Sequence, residues 1–474
     1  MTPVNDNFKP RPPIVAVVGH VDHGKTAFLD YVRKTNVVEG EAGGITQSIG
    51  AYEAEHKGKK ITFIDTPGHE AFSRMRAHGA SAADIAILIV SADEGVKPQT
   101  EEALETLKTT NTPFVVAITK IDKENANIEK VKNDLMNKGI MLEGLGGDIS
   151  WQAISSKTGV GTSELLDLLL LMGEVAELRY DPSMSAAGFV IESRMDPRRG
   201  MVAHLIIKEG VLRQGDDIKT PSVSGKVKIM ENFLGKPTKE LHSSSPALIV
   251  GLNGMPKGGE EFVSGNRELS IESVQPAAAI DEVVSVEGSE SPKAILRADT
   301  NGSLEALRKV FEKEVEIVDA SVGDIVDSDA QFAKSTGAII IGFMVRAEKS
   351  AIHLAEVHGI KIFTSKIIYE LLDLIKKSKA DEKQGFAGGE LKVLAVFSAT
   401  PSRQTVGGKV IKGILKTSTA LEIEREKELM GKGRIKSLEC GKESVNEVST
   451  DQECGLVVET AIPIQVGDLL KIIR

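Results

Sequence analysis

Runs of consecutive apolar residues recur along the first part of the chain, with amphipathic stretches between them. IVAVV (14–18), ITFID (61–65), IAILIVSA (85–92), FVVAIT (114–119) and ISWQAIS (149–155) read as buried strands. TEEALETLKTT (100–110) has helical spacing between two of them. This alternation over 14–175 predicts a parallel sheet with helices on both faces. From about Leu178 the texture changes. GFVIESRM, GMVAHLIIKEGVLRQGDDIKT and GKVKIMENF are short alternating strands with Gly and Asp turns, which predicts an antiparallel β-barrel over 178–268.

Residues 269–292 are rich in Ser, Glu, Pro and Ala and read as a linker. A third unit, 293–383, opens with a strand, a turn and a helix whose Leu304, Leu307 and Phe311 share one face. AIIIGFMV and IKIFT add strands, and KIIYELLDLIKK (366–377) reads as its last helix, so this unit is α/β. KQGFAGGE then interrupts the pattern. Residues 384–474 return to short strands and Gly-rich turns, which predicts a second antiparallel barrel. The fold class is therefore multidomain α/β plus β, with a first α/β domain over 1–177.

Length and composition agree with this division. A chain of 474 residues is too long for one core. Its 41% apolar and 27% charged content is that of a soluble globular protein, and only one Trp and four Tyr are present. Cys440 and Cys454 are the only cysteines, too few for a disulfide framework, so a reduced, cytoplasmic setting is expected. The longest apolar run, IAILIV, is too short to span a bilayer, and no membrane partner is expected. The net charge of −10 argues against a molecule that is basic throughout. Within Lys409–Lys442, however, nine basic residues face five acidic ones, a modest positive patch on the last barrel.

The motifs supply the chemistry. GHVDHGKT (19–26) fits G-x-x-x-x-G-K-[ST] and lies between a strand and an amphipathic helix. In that context Gly19, Asp22, His23, Gly24, Lys25 and Thr26 form a phosphate loop. Its glycines let backbone N–H groups converge on phosphate oxygens, and the helix N-terminus adds a positive dipole end. Lys25 would neutralise the β and γ oxygens, and the Thr26 hydroxyl would reach Mg²⁺. DTPGH (65–69) ends the next apolar strand. Asp65 can hold Mg²⁺ through water, Gly68 can offer its N–H to the γ-phosphate, and His69 can orient the attacking water. Thr46, in the Gly-rich stretch EAGGITQ, can close onto the metal when the γ-phosphate is present.

TKID (119–122) follows the strand FVVAI. Asp122 can accept two hydrogen bonds, from the ring N–H and the exocyclic amine of guanine, which adenine does not offer in that arrangement. An unpaired buried carboxylate costs roughly 1–3 kcal/mol or more, so this residue can select GTP over ATP. Lys120 can lay its stem over the base. In SSKTG (155–159), Ser155 and Ser156 are guanine-binding candidates: the backbone N–H of Ser156 could donate to the guanine carbonyl, and Lys157 could cover the other face of the base.

The order GHVDHGKT, GGIT, DTPGHE, TKID, SSKTG resembles the translational GTPases. RPPIVAVVGHVDHGKTAFLD, GGITQSIGAY, FIDTPGHEAFSRMRAHGASAADIAILIVSADEGVKPQT, LRADTNGSLEAL and QECGL resemble, more narrowly, the bacterial translation initiation factor 2 family. The resemblance covers nearly the whole chain. It implies a P-loop GTPase domain followed by a barrel, an α/β domain and a second barrel, with GTP/GDP and Mg²⁺ as ligands. It implies work on the ribosome: binding formylmethionyl initiator tRNA on the small subunit, promoting joining of the large subunit, and hydrolysing GTP under ribosomal stimulation. Other initiation factors would be partners, and the protein would be a monomer. By position, Glu453, Cys454 and Gly455 match the residues lining the formyl-aminoacyl pocket, and Lys442 lies in a segment facing the tRNA.

The chain departs from the family pattern at several points. Thr119 stands where asparagine is usual, and Ser48 where histidine often follows GITQ. The basic stretch after SL shrinks to Lys442, and the bridge between the third and fourth domains reads as short. The variable N-terminal region of many members is missing ahead of the phosphate loop. Thr119→Asn is expected to leave base specificity unchanged and to tighten affinity modestly. His69 is expected to have no partner fixing its orientation in the free protein. The alternatives are an elongation or selenocysteine-type factor, a GTP-gated RNA-binding module without turnover, and an ATPase, which Asp122 disfavours.

Overall fold

The computed structural model describes residues 7–33, 49–269, 291–383, 389–400, 403–417, 419–425, 428–441 and 443–472. Two compact units emerge, Met1–Leu372 and Asp373–Arg474. In the first, a six-stranded sheet has the order Gly50–His56, Lys59–Asp65, Ile14–Gly19, Ile85–Ser91, Phe114–Thr119, Trp151–Ala153. Apolar runs form its centre because both faces are covered. Val15, Val17, Ile87, Ile89, Val115 and Ala117 meet Phe28, Leu29, Leu165 and Leu169 on one side. Ala16, Val18, Leu88, Val90, Val116 and Ile118 meet Ala80, Leu104, Leu107, Val131 and Leu135 on the other.

The sheet is not wholly parallel. Gly50–His56 is an antiparallel edge strand, joined to Lys59–Asp65 by a tight turn with Lys57 at φ +51° and Gly58 at φ +77°. Only Tyr52 on this strand is buried, so it carries none of the continuous apolar signal that marks its neighbours.

The next strands close a six-stranded barrel in the order Gly200–Glu209, Pro246–Leu252, Ser224–Asn232, Asp217–Lys219, Glu261–Ser264, Ala187–Asp196. Val190, Leu205, Ile207, Ile249 and Phe262 fill it. Polar ties fix it to the sheet: Lys208 Nζ reaches Asp84 at 2.9 Å, and the Thr62 hydroxyl donates to Ser244 O at 2.6 Å. Glu316–Val322, Lys293–Ala298, Ile339–Phe343 and Ile362–Ser365 form a parallel four-stranded sheet. Helices Asn301–Phe311, Asp327–Thr336 and Lys349–His358 pack with it. The first is capped by Thr300, whose hydroxyl accepts from Ser303 N at 3.1 Å.

The last helix of this region runs from Ile368 to Lys383, further than its apolar residues alone require. Its later residues include Lys, Ala and Glu, good helix formers that need no buried face. In the second unit, Ala420–Arg425, Leu469–Ile472, Glu390–Ala399, Gln404–Lys412, Glu453–Glu459 and Glu428–Cys440 pair in sequence around a ring. The first and last also pair, which closes a second barrel.

Where the first barrel meets the α/β layer beyond it, Glu192 is buried beside Asp299 and Thr300. Burial pushes its carboxyl up to about 8, against the pull of the Thr300 hydroxyl. A raised carboxyl pKa contributes stability that is complete below the unfolded value and lost as pH rises through the folded one. Raising the pH from 7 to 9 should therefore cost the wild type on the order of 1 kcal/mol that Glu192→Gln does not lose. Urea unfolding at the two pH values measures this. Parallel losses in both proteins would show that Glu192 is already ionised at neutral pH.

Candidate functional site: a phosphate loop, two switch residues and a base reader

Strand Ile14–Gly19 delivers the chain to the phosphate loop. Gly19 has φ +144°, and a Cβ there would strike the Ile89 carbonyl of the neighbouring strand. Asp22 at φ +61° and Gly24 at φ +94° complete the curl before helix Lys25–Arg33 begins. The curl turns the His23 side chain into the core, where Nδ1 accepts from Ser91 N at 3.3 Å. Burial, reinforced by His20, lowers the His23 imidazole to about 3, so it is neutral. His23 thus serves the fold with its ring and can offer phosphates only its backbone. Val21 N donates to Gln99 Oε1 at 3.1 Å.

Lys25 is buried, and its ammonium donates to Gly19 O at 3.0 Å and His20 O at 2.7 Å. Burial lowers it to about 8, although Asp65 pulls the other way. Loop carbonyls therefore solvate this cation, and their place is one that phosphate oxygens can take. Asp65 ends strand Lys59–Asp65, buried, with Thr26 at the start of the helix after the loop. A hydroxyl and a carboxylate are hard oxygen donors, the set that suits Mg²⁺ completed by phosphate and water. Gly68 lies against Lys25: a Cβ on it would run into the ammonium. The segment carrying it is held from behind by Arg76, which is fully buried. Its Nη1 donates to Pro67 O at 3.1 Å and His69 O at 2.5 Å, and Nη2 pairs with Glu102 at 2.7 Å.

His69, half-buried, has a partner, contrary to the expectation from sequence. Its Nδ1 lies 2.6 Å from the Tyr369 hydroxyl, with ring centroids 4.2 Å apart. Burial, then Arg76, keeps its pKa below the usual histidine value. Thr46 and Ser48 lie outside the described residues.

Strand Phe114–Thr119 ends in the TKID segment, the candidate base reader. The Thr119 hydroxyl donates to His23 O at 2.5 Å, so threonine ties the base segment to the phosphate loop. Lys120 takes a left-handed conformation, φ +57°, with its ammonium 3.9 Å from Asp93. Asp122 is exposed, and its Oδ1 accepts from the Ser155 hydroxyl at 2.7 Å. That bond, ahead of Lys157, holds its carboxyl below the usual range. Ser155 is buried and in turn accepts from Thr158 N at 3.2 Å. Ser156 and Lys157 follow on the same loop, half-exposed and exposed.

Residues 11–174 match the family model described as "Elongation factor Tu GTP binding domain". Residues 185–265 match "Elongation factor G domain 2", and 268–376 match "Translation-initiation factor 2". The translation initiation factor IF-2 of Rubrobacter xylanophilus is 39% identical over 97% of this chain and 71% of that protein. Those of Fusobacterium nucleatum and Bacillus subtilis are 40% and 39% identical over 98% of the chain, covering 67% and 69% of theirs. The chain belongs to the translation initiation factor IF-2 family. It is a translation initiation GTPase, which binds GTP and GDP and hydrolyses GTP.

In this IF-2 family member, Glu453, Cys454 and Gly455 open strand Glu453–Glu459, paired with Lys409, Gly408 and Gly407. Cys454 is buried in the barrel core with Leu391, Leu438 and Leu456, and burial pushes its thiol up to about 11. It is packed as a small hydrophobe. Glu453 is exposed. Lys442 lies outside the described residues.

Three neighbours of the site were not legible beforehand. Gln99 and Arg76 each stand among other polar residues on their helices, Pro98–Thr109 and Ser73–Ala82, so neither stands out in the sequence. Tyr369 is 300 positions from His69. Two arginines, Arg74 and Arg76, stand among small residues in SRMRAHGASAAD, and nothing in the sequence says which of them turns inward.

Proposed function

We propose that this factor binds formylmethionyl initiator tRNA on the small ribosomal subunit in its GTP state, promotes joining of the large subunit, and then hydrolyses GTP under ribosomal stimulation. In this reading residues 1–177 are the GTPase domain, 178–268 and 293–383 its second and third domains across a 269–292 linker, and 384–474 the tRNA-binding barrel. Other initiation factors share the small subunit with it, and it works in the cytoplasm as a monomer.

Gly19, Asp22, His23 and Gly24 frame the phosphates with backbone groups, while Lys25 gives up its loop carbonyls to neutralise them. Thr26, Thr46 and Asp65 would hold Mg²⁺, which when bound neutralises charge on the phosphates. Gly68 senses the γ-phosphate through its N–H, and His69 orients the attacking water. Thr119, Lys120, Asp122, Ser155, Ser156 and Lys157 hold guanine. The observation that supports this reading most directly is the contact of Gly68 with the Lys25 ammonium, because a γ-phosphate drawn to that lysine must meet this glycine.

At the last barrel, Glu453, Cys454, Gly455 and Lys442 are the residues proposed for initiator tRNA. Cys454 acts there by shaping the strand. Phe397, 71% exposed, supports an apolar site beside it: its ring lies against Gly407, which pairs with Gly455. An aromatic face left in water next to a glycine pair suits a methionine side chain.

Filter binding of formylated and unformylated initiator tRNA tests the assignment. Formylated tRNA should bind about tenfold more tightly, the value of one well-placed hydrogen-bonding group. Equal retention would remove the basis for placing an initiator function in this barrel, and would favour the elongation-type alternative.

A further inference from the structure

The contact between His69 and Tyr369 joins the segment 65–69 to the far end of the third domain. Tyr369 stands in the first turn of helix Ile368–Lys383. It is not an isolated touch. Lys309, on helix Asn301–Phe311, donates to Glu70 O at 3.2 Å and to the Ser73 hydroxyl at 2.8 Å. Phe72 packs near Phe343 with ring centroids 6.5 Å apart. His69 and the residues after it are thus gripped from the third domain, while Arg76 fixes the His69 carbonyl from the other side.

The hydrogen bond has a direction. Burial keeps both rings neutral: the His69 imidazole is held below its usual pKa, and the Tyr369 phenol is pushed up to about 12. A phenol O–H is a stronger donor than an imidazole N–H, and an imidazole nitrogen a stronger acceptor than a phenol oxygen. The hydroxyl therefore donates and Nδ1 accepts. A neutral imidazole then carries its hydrogen on Nε2. In that tautomer neither nitrogen is left to accept a hydrogen bond from a water molecule.

We propose that Tyr369 is a positioning residue that holds His69 in a resting orientation and tautomer, so that hydrolysis waits until the third domain lets it go. This rests on the proposed role of His69 toward water. It supplies a reason for slow turnover off the ribosome that uses only this chain: the side chain is engaged elsewhere. Movement of the helix carrying Tyr369 would free Nδ1 and the ring together.

Tyr369→Phe keeps the ring and removes the hydroxyl, so folding is not at issue. Ribosome-free GTP turnover should rise about fivefold, the factor that one typical net hydrogen bond represents. KM for GTP should stay as in the wild type. The double variant Tyr369→Phe with His69→Ala should turn over no faster than His69→Ala alone. Histidine-selective ¹⁵N spectra add a readout that packing alone would not move. The wild type should show a ring with bare Nδ1 and protonated Nε2 that disappears in His69→Ala. In Tyr369→Phe its shifts should move toward a tautomer mixture. Unchanged or slower turnover in Tyr369→Phe, or a protonated Nδ1 in the wild type, would overturn the proposal. The two readings separate cleanly. If His69→Ala hydrolyses GTP normally on ribosomes, the role of His69 fails and the latch with it. If His69→Ala is inactive there while Tyr369→Phe behaves as wild type, only the latch fails.

Discussion

His69→Ala is expected to bind GTP and GDP nearly as well as the wild type and to lose ribosome-stimulated phosphate release by at least about 100-fold, the scale of a positioned group acting on the attacking water. The binding half of this expectation follows from how the segment Pro67–His69 is anchored. The peptide carbonyls of Pro67 and His69 are held by Arg76, and Gly68 is seated against Lys25, none of which depends on the imidazole. The side chain itself is half-buried and packs on Tyr369, so truncation removes little core. The catalytic half follows from position: His69 is the first side chain able to accept or donate a hydrogen bond after Gly68, which lies against the Lys25 ammonium. His69→Gln should retain part of the activity, since an amide can still orient water without accepting its proton. The measurement is single-turnover phosphate release with and without ribosomes, beside nucleotide affinities from fluorescence. Stimulated release at wild-type rate in His69→Ala would end the assignment.

The contrast between His69 and its surroundings shows what a sequence can and cannot disclose. The central strands were legible because a strand buried on both faces has no choice but a continuous apolar run. The edge strand Gly50–His56 was hidden because only Tyr52 on it is buried, although its alternation and the Lys57-Gly58 turn carried a weaker hairpin signal. What the motifs did locate is local backbone geometry near strand ends: the curl at Gly19, Asp22 and Gly24 after strand Ile14–Gly19, and the left-handed Lys120 after strand Phe114–Thr119. Arg76 and Tyr369 act on the same site, yet each does so through a partner that tertiary packing brings to it. No spacing rule connects residues 69 and 369. Asp122 also differs from its reading as a buried carboxylate: it is exposed, and its Oδ1 accepts from the Ser155 hydroxyl.

That state shapes the other large effect. Asp122→Ala is expected to weaken GTP and GDP binding by at least about 100-fold, because two hydrogen bonds to a carboxylate are each worth roughly 1.5–3 kcal/mol. ATP binding should change little or improve slightly. Adenine presents a ring nitrogen lone pair where guanine presents an N–H, and the carboxylate repels it. The GTP-over-ATP ratio should therefore collapse toward unity rather than both affinities falling together. Loss of fold does not explain such a result, since Asp122 is exposed and its carboxylate is held by a hydrogen bond from the Ser155 hydroxyl at the surface. Thr119→Asn is the matched control on the same segment. The threonine hydroxyl already secures His23 O, so the amide restores a base contact without adding the brace, and the ratio should stay as in the wild type. Competition of GTP, GDP and ATP against a fluorescent guanine nucleotide measures all three proteins. If Asp122→Ala kept its preference for guanine, selection would have to come from the backbone of the 155–159 loop, and the carboxylate would be reduced to bracing Ser155.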